Sequence, residues 1–77
     1  MDNPLKPRIL TVPTQGEIGR ARRHLGDSME QAAARVHTDR TTWWRWENGQ
    51  REMPLSAWEL YLIKARRALR KKQRASG

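Results

Sequence analysis

Cysteine and phenylalanine are both absent from the 77 residues of this chain. Without cysteine there is no disulfide, no thiolate metal site and no cysteine nucleophile. The two histidines, His24 and His37, are too few for a metal cluster, and neither has an acid and a nucleophile at triad spacing. They read as surface or capping residues, and no enzymatic activity is expected. No apolar run approaches the length of a membrane span, and the basic N-terminus lacks the apolar stretch of a signal peptide. A cytoplasmic protein with no membrane association is therefore expected. A chain this short buries only about 60% of the surface its unfolded form exposes. That allows one small core and no enclosed substrate pocket, so neither a cofactor nor a small-molecule effector is expected.

Acidic residues are also scarce. Eight Asp and Glu stand against sixteen Lys and Arg, a net charge of +8. On an otherwise mixed sequence that balance describes a folded domain with a basic surface. Such a surface attracts polyanions, of which nucleic acid is the commonest. The bland alternative is a merely soluble basic protein.

Three of the four prolines, Pro4, Pro7 and Pro13, fall in residues 1–13. Each fixes φ and removes a donor, so this segment is expected to be an extended arm. Its apolar residues Ile9, Leu10 and Val12 suit contact with the core or with a second subunit. Residues 14–69 form the folded domain. Residues 70–77, with Arg70, Lys71, Lys72 and Arg74, are expected to be a basic, fraying tail.

Within 14–69 apolar residues recur at helical spacing, with no period-two alternation. Thr14 and Glu17 form a capping box. A first helix follows through Ile18, Arg22 and Leu25 to a stop at Gly26. Ser28 caps a second, with Met29, Ala32, Ala33 and Val36 on one face, and its alanines allow another backbone to come close. Asp39 caps a third, from Arg40 to about Glu47, ended by left-handed residues at Asn48-Gly49. Pro54 blocks any helix before it, and Ser56 is expected to cap a fourth helix over 55–69. The fold class is all-α, a compact bundle of four to five helices.

At about 100° per residue the third helix divides sharply. Trp43, Trp46 and Glu47 lie on one side as core anchors. Arg40, Thr41, Trp44 and Arg45 lie on the other, with Asn48 at its edge. This second face carries no acid. Its donors are those that read guanine edges or hold phosphates. A solvated basic face is the plain alternative, but a tight turn sets this helix on an alanine-rich one, as in a helix-turn-helix unit.

The stretch RRHLGDSMEQAAARVHTDRTTWWRWENGQREMP resembles the helix-turn-helix of Cro/CI-type (XRE family) phage repressors and their bacterial relatives. The matching positions are Arg22 in the first helix, Ala33, the turn Val36-His37-Thr38, the cap Asp39, Trp46-Glu47-Asn48-Gly49, and Pro54 after them. The resemblance spans about residues 15–66. It implies a lambda-repressor-like bundle that binds double-stranded DNA sequence-specifically, usually as a homodimer and usually to repress transcription. Three positions depart from the pattern. Met29 stands where Gln usually contacts a phosphate, and His37 where the turn often has Gly. Asp27 replaces a usual buried Leu, which either loosens the packing of the first two helices or puts an acid at the favourable N-terminal end of the second.

The resemblance assigns roles. Arg22 and Glu47 match a structural pair tying the first helix to the end of the recognition helix. Arg40, Thr41 and Arg45 are the expected base readers, since the start of this helix enters the major groove. Trp44 is placed with them; its ring packs on the sugar-phosphate backbone or a thymine methyl, or leans over the Arg40 stem. Thr38, Thr42, Asn48 and Arg51 are better placed for phosphate. Gly49 and Gln50 accompany them in a loop whose other reading is ordinary turn chemistry.

In the fourth helix, Leu55, Trp58, Tyr61, Leu62, Ala65 and Leu69 make one stripe, while Leu60 and Ile63 fall outside it. That surplus calls for a second surface, from a second subunit or the arm. The basic end of the helix adds DNA attraction or is simply solvated. Two rival readings stay open: an antitoxin-like interaction protein that binds DNA with a protein partner, and a non-specific nucleic-acid binder.

Overall fold

The computed structural model describes residues 11–75, with side chains up to Lys71. Ile9 and Leu10 of the arm lie outside the described residues. Four helices follow one another: α1 (Gln15–Leu25), α2 (Met29–Arg35), α3 (Arg40–Glu47) and α4 (Leu55–Ala75). There is no strand among the described residues, so the chain is an all-α bundle. None of its helices there is long and apolar enough to cross a membrane.

The caps explain where the short helices begin. The Thr14 hydroxyl accepts from the Glu17 N–H while the Glu17 carboxylate accepts from the Thr14 N–H. Ser28 and Gln31 repeat the arrangement at α2. Asp39 accepts from the Thr42 N–H at 2.7 Å and opens α3. Each closes orphan donors of a first turn. The helices end on positive φ where the chain must reverse: Gly26 at φ 86° after α1, and Gly49 at φ 72° after α3. His37, at φ 60°, makes the same left-handed turn between α2 and α3 without glycine.

Four expectations need correction. Asn48 is not left-handed; its φ is −101°, and Gly49 alone makes the turn. Ser56 does not cap α4, which begins at Leu55 with the Trp58 N–H bonding the Pro54 carbonyl at 3.1 Å. Proline can hold that flanking position because no N–H is needed of it. The α4 backbone also runs past 69 to Ala75, through residues expected to fray. Arg, Lys, Gln and Ala are strong helix formers, and cations suit a helix C-terminus. Lastly, Leu60 is half-buried against the core, whereas Leu55, assigned to the buried stripe, is exposed.

The core is built around Trp43 and Tyr61, both fully buried, with ring centroids 5.0 Å apart. Trp46 stacks edge-on to Trp43 at 5.6 Å. Ile18, Leu25, Ala32, Ala33, Val36, Met53 and Trp58 complete it. α3 lies against both α1 and α2, with α4 packed across those two. Ala32 and Ala33 have almost no exposed surface, which lets α2 approach α3 closely. Large rings fill this small core without phenylalanine.

Candidate nucleic-acid interface

Burying Trp43 and Trp46 turns the opposite side of α3 to solvent. Arg40, Thr41, Trp44, Arg45 and Asn48 are all exposed there, and Trp44 keeps 38% of its surface. The acid that starts the helix, Asp39, is engaged with the backbone of Thr42, whose N–H holds its carboxyl below the usual range. Thr38 and Thr42 are half-buried at the N-terminal end. Arg51 is exposed beyond the C-terminal end, in a loop folded back so that the Gln50 N–H bonds the Arg45 carbonyl at 2.9 Å. The Asn48 side chain spends one donor on the Trp44 carbonyl at 2.8 Å. This surface offers two arginine forks, hydroxyls, an amide and an aromatic ring: donors for phosphate oxygens and guanine edges, with an apolar body among them.

The inner side of α3 is fixed to α1 through charge. Arg22 grips Glu47 with two bonds, Nε to Oε2 at 2.5 Å and Nη2 to Oε1 at 3.1 Å. The Trp43 indole N–H donates to the same carboxylate. Burial opposes ionisation of Glu47, but the bonds from Arg22 and Trp43 outweigh it and hold the carboxyl below its ordinary value. The Glu47 bond in turn raises the Arg22 guanidinium. Gly19 leaves room beside this pair, since a Cβ there would stand 2.9 Å from Arg23 Nη1 and 3.2 Å from Glu47 Oε1. The Arg22–Glu47 pair expected from the sequence is therefore present.

No protein-family model matches the chain, and no curated protein matches it either.

A second network was not legible in the sequence. Asp27 is buried, and its carboxylate takes two bonds from Arg35, at 2.6 and 3.1 Å, and one from the Tyr61 hydroxyl at 3.1 Å. Its backbone carbonyl accepts from Arg22 Nη1 at 3.1 Å, which joins the two networks. Burial, and then the Asp27 charge, push the Tyr61 hydroxyl well above the usual phenol range. Asp27 is thus a junction of α1, α2 and α4. Among the described residues no buried side-chain polar atom lacks a partner. The one signal in the sequence was Asp27 itself, an acid between the first two helices.

Proposed function

We propose that the chain is a sequence-specific double-stranded DNA-binding regulator of Cro/CI type, a cytoplasmic repressor acting as a homodimer on a two-fold operator. In this reading α2, the turn and α3 form the helix-turn-helix. Arg40, Thr41, Trp44 and Arg45 face base edges in the major groove; Thr38, Thr42, Asn48 and Arg51 hold phosphates. One observation carries it: an exposed face with two arginines and no acid, on a helix whose other face is locked by Trp43, Trp46 and the Arg22–Glu47 pair. Direct readout needs such rigid support, because reading groups must hold their geometry closely. The net charge of +8 supplies the non-specific attraction that delivers the domain to DNA.

Dimerisation is supported by Ile63, which stays 46% exposed on α4. One recognition helix reads few base pairs, and a two-fold pair doubles that readout. The same exposed side chain favours the second reading, a DNA-binding protein that also holds a different protein partner.

The test is competition among duplexes carrying single-base changes in the best site. Arg40→Ala and Arg45→Ala should each cost about 1–3 kcal/mol and relax the preference at one position. A loss equal on every duplex would make them phosphate contacts and remove the base-reading assignment.

A further inference from the structure

A second basic feature lies away from the outer face of α3. An open groove of about 450 Å³ runs between the C-terminal end of α2 and α4, lined by Arg35, Lys64, Arg67, Ala68 and Lys71. The α4 members fall at i, i+3, i+4 and i+7, so one helical face brings three cations into line, with a small alanine between them. Arg35 forms the opposite wall and is held in place. Its Nε and one Nη2 hydrogen are spent on Asp27, while its other N–H groups meet no partner among the described residues. Lys64 Nζ bonds the Arg35 carbonyl at 2.6 Å and stands 3.5 Å from His37 Nε2. Among the described residues, the one acid bonded to this set, Asp27, already serves Arg35 and Tyr61.

Like charges at i, i+4 on a helix repel, so the Lys64–Arg67–Lys71 row gains nothing from its own neighbours. The Nη1 end of Arg35, left over from Asp27, together with the Arg67 guanidinium and two compact ammonium groups suits the oxygens of phosphate. With no large apolar side chain in its lining, the groove is poorly matched to a protein segment. The Lys64–His37 contact makes it contiguous with the turn that leads into the N-terminal end of α3.

We propose that this groove is a second nucleic-acid contact, which grips backbone phosphates of the duplex beside the recognition contact; it rests on the DNA-binding reading above. Arg67 and Lys71 are exposed and partnerless among the described residues, so Arg67→Ala/Lys71→Ala leaves the fold intact, checked by far-UV circular dichroism. Its control is Arg66→Ala/Arg70→Ala, the same charge change on the other flank of α4. The readout is duplex affinity against salt. Losing two phosphate contacts in each protomer, four in the dimer, flattens the log–log slope by about 3.6, so between about 50 and 200 mM salt the groove variant loses about 150-fold less affinity than the parent. Its ranking of single-base site variants stays unchanged. An equal flattening in the control means diffuse attraction and overturns the groove. An unchanged slope, with binding to a poly-glutamate peptide lost in the groove variant, assigns the groove to acidic protein segments and overturns it too. An unchanged slope with no peptide effect also overturns the groove while leaving the DNA-binding reading standing. A parent protein that binds no duplex overturns both.

Discussion

Replacing Asp27 by alanine removes the junction of three helices while taking away only a small, buried side chain. Two groups then lose their partner. Breaking a buried ion pair costs about 3–5 kcal/mol, but the Arg35 side chain is 30% exposed and recovers water, so about 2 kcal/mol is the appropriate share. The Tyr61 hydroxyl is fully buried and has no water to turn to, which adds about 1 kcal/mol. The sum, about 3 kcal/mol, is a large part of the roughly 4–12 kcal/mol expected of a domain this size. At about 4–8 °C per kcal/mol, the melting temperature should fall by about 12–24 °C at neutral pH. Thermal unfolding followed by circular dichroism measures this directly. Tyr61→Phe in the same background should restore about 1 kcal/mol relative to additivity, because the orphaned hydroxyl is then gone. A fall of less than about 4 °C, or strict additivity of the two changes, would refute the claim that Asp27 holds these helices together.

Two further outcomes follow from the geometry. Glu47 titrates below its unfolded value, so the folded state binds fewer protons; its stabilisation is full above about pH 4.3 and is lost as the pH falls through the lower folded value. Urea midpoints from pH 5 to 3 should therefore drop less steeply in Glu47→Gln than in the parent, and parallel profiles would contradict the pairing. Ile63→Glu should leave the helix content unchanged and shift the protein to monomer in sedimentation, with weaker operator binding; a variant that dimerises normally would remove Ile63 from the interface.

Much of this fold is legible in local chemistry. The caps Thr14, Ser28 and Asp39 and the stop at Gly26 are each set by residues within a few positions, so sequence alone places α1 to α3. The two faces of α3 are equally legible, because Trp43 and Trp46 fall opposite Arg40, Trp44 and Arg45 at helical spacing. What escaped depends on long-range packing. Met53, fully buried, sits in a loop without periodicity to mark it. Leu60 is half-buried because it packs against the edge of the core, which a wheel of α4 taken alone does not convey. Asp27 read either as looser packing of the first two helices or as an acid favouring the start of the second, and its ion pair was not legible because its partners Arg35 and Tyr61 come from α2 and α4. The start of α4 at residue 55 was legible, but its cap was not: Ser56 is a better cap than Pro54 by composition, while the helix opens directly after the proline. The Arg22–Glu47 pair was found through its resemblance to a family pattern, not through spacing.

The central claim is that the exposed face of α3 reads base sequence. Its most direct measurement is the ratio of two affinities at about 150 mM salt, one for duplexes selected from a random pool and one for unselected duplex. Specific recognition predicts a ratio of about a thousand or more, with a two-fold site whose halves lie about 10–10.5 base pairs apart. Equal affinity for selected and unselected duplex would contradict it, and would leave a basic domain that binds DNA without reading it.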